Sequence, residues 1–108
     1  MKLCDLAEKL GLTLLAGDVP DEFCGVYAGD FLSRAMSRVG EGEIWITIMN
    51  NVNVIAVASL TDAACVVLAE DVVLDEAAKA AADSKGVCVY SSGKTVYELC
   101  RDIAAIVS

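Results

Sequence analysis

Residues 44–71 read IWITIMNNVNVIAVASLTDAACVVLAED, and this stretch decides the fold class. IWITI and CVVLA are apolar runs of strand length, and a polar turn and a helical segment at about Val52 to Leu60 separate them. The rhythm continues with a helix at about Asp75 to Lys85, the run VCVY and a helix at about Thr95 to Val107. Strands that alternate with helices in this way predict right-handed β-α-β crossovers and a small parallel sheet.

The residues before this stretch predict an N-terminal helix and short strands. Leu3, Leu6, Ala7 and Leu10 repeat at helical spacing, and Gly11 ends the pattern. TLLA, the turn GDVPDEF and the extended piece CGVYA follow. A second helix is expected from about Asp30, capped by that carboxylate, with an apolar face of Phe31, Leu32, Ala35, Met36 and Val39. The fold class is therefore α/β in a single domain of residues 1–108: a small parallel β-sheet of β-α-β units with helices packed on it.

The chain is more apolar than its size requires. Of 108 residues, 56 % are hydrophobic, and the mean hydropathy is +0.58, against roughly 45–50 % apolar residues in a soluble domain. The surplus predicts a buried interface of a symmetric homodimer, with an alanine-rich core as the alternative. The helix VNVIAVASL is apolar all round. We expect Val52, Ile55, Ala56 and Leu60 to cover the sheet, and the outward residues Val54, Val57 and Ala58 to form the dimer interface.

The charge of the chain excludes two classes of partner. Sixteen acidic and eight basic residues give a net charge of −8, which repels nucleic acid and anionic membranes. The long uncharged stretch from Ile44 to Thr61 is interrupted by asparagines and is not expected to span a membrane. The chain has no histidine, so it lacks the commonest general base and metal ligand. We therefore predict no catalytic residues and no cofactor.

Five cysteines follow no metal-binding spacing. Cys4, Cys65, Cys88 and Cys100 fall in apolar runs and are expected to be buried as small hydrophobic residues. Cys24 lies outside these runs, beside a glycine, and is the cysteine to test for reactivity. An odd number of thiols without a signal peptide indicates a reducing cytoplasm. We predict no bound metal and no native disulfide.

The motif YSSGKT at residues 90–95 matches only half of a nucleotide-binding P-loop. The full pattern is G-x-x-x-x-G-K-[ST], and Cys88 occupies the position of its first glycine. Kinase or ATPase chemistry consequently loses its main support, and we expect neither ATP hydrolysis nor phosphoryl transfer.

A ligand site is expected at the carboxyl ends of the parallel strands, where helix N-termini present free N–H groups. Two interpretations of the last loop remain open. Ser92 or Thr95 caps the final helix while Lys94 is solvated, or the loop binds a nucleotide or a phosphorylated metabolite weakly. The candidate ligand-binding residues are Asn50, Asn51, Ser91, Ser92, Gly93, Lys94 and Thr95.

The blocks MKLCDLAEKLGLTLLAG, GVYAGDFLSRAM, EGEIWITIMNNVNVIAVASL and GVCVYSSGKTVYELCRDI together resemble a stand-alone DRTGG domain over essentially the whole chain. The resemblance implies a bacterial, cytoplasmic, dimer-forming α/β module with a regulatory role, related in fold to the N-terminal domain of HPr kinase. The residues that name the family are not retained. Asn50 and Asn51 occupy the place of the Asp-Arg pair, and about Ala69, Glu70 and Asp71 the place of Thr-Gly-Gly.

Three functions are therefore weighed. The first is a non-catalytic regulatory or ligand-sensing homodimer that binds a small anionic ligand. The second is a protein–protein adaptor that docks on an enzyme complex, a redox complex as the resemblance implies. The third is an enzyme, which the absence of histidine and of a complete P-loop disfavours.

Overall fold

The computed structural model describes residues 1–107, which form five helices and five strands. In chain order these are α1 (Leu3–Leu10), β1 (Thr13–Ala16), β2 (Gly25–Ala28), α2 (Leu32–Arg38), β3 (Glu43–Thr47), α3 (Val52–Thr61), β4 (Cys65–Leu68), α4 (Glu76–Lys85), β5 (Val89–Ser91) and α5 (Val96–Val107). Gly11 and Gly86 end α1 and α4 in the left-handed conformation that glycine adopts at least cost. The predicted element order is confirmed.

The strands form one sheet in the order β1-β5-β4-β3-β2. β3, β4 and β5 are parallel, as predicted. β2 extends this parallel sheet beside β3, and β1 adds an antiparallel edge strand beside β5. The register between β1 and β5 shifts between Leu14 and Ala16, which marks a bulge at Leu15. The two open edges of the sheet are therefore β1 and β2.

Helices cover both faces of the sheet. One face packs Trp45, Val66 and Val89 against α2, α3 and α4, and the other packs Ile46 and Val67 against α1 and α5. All four residues of β4 are buried because it is the central strand. The fully buried ring of Trp45 donates its Nε1–H to the carbonyl oxygen of Gly29 at 2.9 Å, which satisfies its polar atom.

The predicted orientation of α3 is wrong. Val54, Val57 and Ala58 are buried in the core, with exposures of 1 %, 5 % and 2 %, so they cannot form an outward dimer interface. The exposed apolar residues of α3 are instead Val52, Ala56 and Leu60, which were expected to cover the sheet. The reason is that α3 contacts both α2 and α4 in addition to lying over the sheet, so more than one of its faces is covered.

Three local expectations also need correction. The carboxylate of Asp30 does not cap α2 but accepts hydrogen bonds from the Thr47 hydroxyl at 2.7 Å and the Ile48 amide at 3.0 Å. Phe31 and Met36, expected on the buried face of α2, are exposed. Cys4 is exposed and Cys100 only half-buried, although both were expected to be buried, whereas Cys65 and Cys88 are buried as predicted.

None of the helices in residues 1–107 is both long enough and apolar enough to cross a lipid bilayer.

Candidate functional site at the carboxyl edge of the sheet

The carboxyl edge of the sheet contains a topological switch point. β4 leads into α4 on one face of the sheet, whereas the neighbouring strand β5 leads into α5 on the other face. In open α/β sheets, a crevice opens where adjacent strands send their helices to opposite faces, and ligands bind there. The loops after β4 and β5 are therefore the part of the edge to examine as a candidate site.

The two loops are tied together by backbone hydrogen bonds. The amide of Glu70 donates to the carbonyl oxygen of Lys94, and the amide of Asp71 donates to that of Ser92, both at 2.9 Å. Glu70 and Asp71 have left-handed backbones, with φ of 60° and 59°. Glycine adopts this conformation at low cost and other residues do not. Glu70 and Asp71 thus have the backbone conformation that glycine adopts most readily.

Thr95 caps α5 through a reciprocal pair of hydrogen bonds. Its hydroxyl accepts from the Glu98 amide at 3.1 Å, and its own amide donates to the Glu98 carboxylate at 2.9 Å. The backbone bond from Thr95 is the main cause that lowers the pKa of Glu98. The hydroxyl of Ser92 accepts from the Lys94 amide at 3.0 Å. Capping, one of the two open interpretations of this loop, is confirmed for Thr95.

Lys94 is paired rather than free in solvent. Its Nζ lies 2.6 Å from Oδ2 of Asp102, whose Oδ1 accepts from Nε of Arg101 at 2.9 Å. Arg101 first, and Lys94 second, lower the pKa of Asp102 through these bonds. The carboxylate of Asp71 lies against this loop, since a Cβ atom added at Gly93 would be 3.1 Å from its Oδ2. An anion at this loop would have to replace Asp102 on Lys94 and approach Asp71.

Asn50 and Asn51 both have structural partners. The Asn51 side chain accepts from the Asn53 amide at 3.0 Å and caps α3. The Asn50 side-chain amide donates to the carbonyl oxygen of Val73, which joins the β3–α3 loop to the β4–α4 loop. Of the predicted residues, Asn50 contacts the β4–α4 loop from β3, and Ser92 and Lys94 contact it from β5.

A cavity that the sequence analysis missed lies beside this switch point. Its volume is about 210 Å³, and it is bounded by β1, the end of β5, the β4–α4 loop and the first half of α4. The lining residues are Leu15, Asp71, Val72, Val73, Leu74, Lys79 and Ser91. The apolar run VVL, set in a polar loop after a buried strand, is the sequence signal that could have indicated it.

The cysteines do not converge on this edge. Cys65 and Cys88 lie on neighbouring strands within the core, where the Cys88 thiol and burial raise the pKa of Cys65. Cys24 is exposed, and its Sγ donates to the carbonyl oxygen of Glu41 at 3.2 Å. Within residues 1–107, no group of three or more cysteine or acidic side chains is placed to hold a metal ion. The absence of a metal and of a native disulfide stays a prediction.

No family model and no curated protein matches the chain. Among solved structures, the chain is similar to the CBS and DRTGG domains of the regulatory region of Clostridium perfringens pyrophosphatase, in a complex with the activator diadenosine tetraphosphate. The similarity covers 93 % of this chain and 44 % of that chain, with a TM-score of 0.74 and 11 % identity. The chain thus has an α/β fold of the DRTGG kind, and it spans less than half of the structure it matches.

Proposed function

We propose that the chain is a non-catalytic regulatory module that senses a small molecule at the carboxyl edge of its sheet. The observation that carries this proposal is the cavity of about 210 Å³ beside the β4–β5 switch point, walled by a loop with two left-handed residues. The similarity to the regulatory region of a pyrophosphatase supports a regulatory role for such a fold. A cytoplasmic location is part of the proposal and rests on the thiol content alone.

The use of the polar side chains at this edge supports a role without catalysis. Nucleophilic catalysis needs a nucleophile within hydrogen-bond reach of a base. Here the hydroxyls of Ser92 and Thr95 bond backbone amides, as does the side chain of Asn51. Lys94 is held by Asp102. We therefore expect no ATP hydrolysis by the purified protein, and turnover that disappears on Lys94→Ala would refute this.

A thermal-shift screen tests ligand sensing directly. A ligand that binds only the folded state raises the melting temperature in a saturable way. The panel should contain adenine nucleotides, diadenosine tetraphosphate, small phosphates and small zwitterionic metabolites, each at several concentrations. A saturable rise with any member supports the proposal. If no member raises the melting temperature and none shifts amide resonances of the β4–α4 loop, ligand sensing at this edge is wrong.

We further propose that the module forms a homodimer, and that β2 and α5 provide the contact. β2 is an edge strand, so one row of its backbone N–H and C=O groups has no neighbouring strand among the described residues. Two apolar cavities of about 320 and 400 Å³ lie along it and share the lining residues Gly25, Val26, Ile103 and Val107. Antiparallel pairing of β2 with its copy would extend the sheet and bring the two α5 helices together over this groove.

An adaptor that docks on an enzyme complex is the second candidate function. Large apolar side chains surround the carboxyl edge and are exposed to solvent: Phe31, Ile48, Val52, Val73 and Tyr97. A monomeric protein rarely gathers exposed apolar groups at one edge without a partner. If the unmodified chain reproducibly captures one partner protein, and the double variant Phe31→Ser, Tyr97→Ser does not, the adaptor is favoured over the sensor.

A further inference from the structure

The cavity beside the β4–α4 loop combines an apolar interior with two opposite charges. Leu15, Val72 and Leu74 contribute apolar walls, and Lys79 and Asp71 also line the cavity. At present the ammonium of Lys79 lies on Asp83, and the carboxylate of Asp71 lies against Gly93. An engineered apolar cavity of about 150 Å³ holds benzene, so a cavity of about 210 Å³ accepts a ligand slightly larger than that. The cavity is open to solvent on one side, so its volume limits only the part of a ligand that enters it.

Lys79 can turn toward a ligand without leaving its present partner unsatisfied. Its Nζ lies 3.1 Å from Oδ2 of Asp83, and the two side chains are 56 % and 50 % exposed. An exposed pair of this kind contributes little to stability. Oδ1 of Asp83 accepts separately from the Gly17 amide at 2.9 Å. Asp83 therefore keeps a backbone donor when Lys79 moves.

The backbone of Asp71 is held in place within the cavity lining. Its amide bonds the Ser92 carbonyl oxygen, and its left-handed φ of 59° fixes the direction of the chain at this point. Within residues 1–107, no side chain donates a hydrogen bond to the carboxylate of Asp71, and this carboxylate forms no ion pair with Lys79. Ser91, at the end of β5, places a hydroxyl in the same lining. Lys79 and Asp71 thus belong to the same lining without pairing with each other, so each can turn toward a ligand in the cavity.

We propose that this cavity binds a small aliphatic α-amino acid, with the carboxylate on Lys79, the ammonium on Asp71 and Ser91, and the side chain against Leu15, Val72 and Leu74. This inference rests on the proposed function and names its ligand. A simple carboxylic acid would meet Lys79 but be repelled by Asp71. A simple amine would meet Asp71 but be repelled by Lys79. Only a zwitterion with an apolar side chain uses both charges and the walls between them.

Titration calorimetry with L-valine and L-leucine tests the inference, with 3-methylbutanoate and isobutylamine as probes that each lack one charge. We expect saturable binding of at least one amino acid, weakened by about tenfold or more in Lys79→Met and in Asp71→Asn because each removes a charged partner. Lys85→Met, on the same helix and outside the cavity lining, should bind as the unmodified protein does.

Binding of either single-charge probe as tightly as the amino acid would overturn the inference, and so would amino-acid binding that both cavity variants leave unchanged. A nucleotide or phosphate that raises the melting temperature while no amino acid binds would overturn it and leave the proposed function standing. If no probe binds in calorimetry and none raises the melting temperature in the thermal-shift screen, both the inference and the proposed function are wrong.

Discussion

Nζ of Lys94 lies 2.6 Å from Oδ2 of Asp102, so the cation of the β5–α5 loop is neutralised by the helix that follows it. The same carboxylate also accepts from Arg101. This pairing answers the question that the partial P-loop motif poses. The lysine that would grip a phosphate in a complete P-loop here fastens the loop to α5, and the threonine beside it caps that helix.

Stability should therefore fall in acid. The pKa values of Asp102, Asp83 and Glu98 are all lowered in the folded chain, Asp83 mainly by the Gly17 amide. A carboxylate with a lowered pKa stabilises the fold above its unfolded pKa, near 4, and loses that contribution as pH falls through the folded value. We expect the urea midpoint to decrease between about pH 5 and about pH 2. Asp102→Asn should make this decrease smaller, and an identical decrease in that variant would contradict the assignment.

The capping residue of α5 has a measurable role. Thr95→Ala removes the hydroxyl that accepts from the Glu98 amide and should lower the free energy of unfolding by about 1 kcal/mol. Thr95→Ser keeps an oxygen at the same place and should cost much less. Urea denaturation of the two variants provides the comparison, and equal losses would mean that the methyl group of Thr95, not its cap, matters.

The left-handed residues of the β4–α4 loop should be improved by glycine. Glu70→Gly relieves a backbone conformation that costs roughly 1–2 kcal/mol for an L-residue, offset by an entropic penalty of about 0.4–1 kcal/mol. A small net gain in the free energy of unfolding follows. Glu8→Gly is the matched control, because Glu8 lies within α1 and the same change there should cost about 1 kcal/mol. A loss in both variants would show that Glu70 makes contacts that outweigh its backbone strain.

The orientation of α3 can be tested by placing a charge on each side. Val57→Glu puts a carboxylate into the core and should cost at least about 3 kcal/mol, enough to unfold a marginal domain. Leu60→Glu is the control on the same helix, since Leu60 is 72 % exposed and the change should leave circular dichroism and the melting temperature almost unaffected. The opposite ranking would restore the orientation predicted from the sequence.

Most of the fold could be predicted because strand and helix patterns differ clearly in residues 44–107. The orientation of α3 could not, because a helix that is apolar all round has no periodicity that distinguishes its faces. The surplus of apolar residues is explained in part by the sheet. Helices cover both of its faces, so a strand such as β4 buries every side chain.

The sequence indicated an edge of the sheet for the candidate site but not the cavity, because of the seven candidate residues only Ser91 lines it. The rule for parallel sheets identifies the carboxyl edge from the strand order alone. The partners of Lys94 and Asn50 could not be predicted, because Asp102 lies two turns into α5 and Val73 belongs to another loop. The left-handed backbone at Glu70 could not be predicted, because glutamate rarely adopts that conformation, and Asp71 gave only the weak signal of a residue type that sometimes does.

The proposed homodimer can be tested by substitutions at two neighbouring alanines of α5. Ala104 and Ala105 are both exposed, but only Ala104 lines the apolar groove along β2. Burial of about 800 Å² per subunit along this groove would support a stable dimer, against repulsion between two chains of net charge −8 that salt screens. Ala104→Glu adds a charge inside the contact and should convert a dimer to a monomer without unfolding it, whereas Ala105→Glu should not. Light scattering that gives the 11.3 kDa monomer mass for the unmodified chain at micromolar concentration would end the proposal. If the protein remains a dimer after Ala104→Glu, the dimer contact lies on another surface.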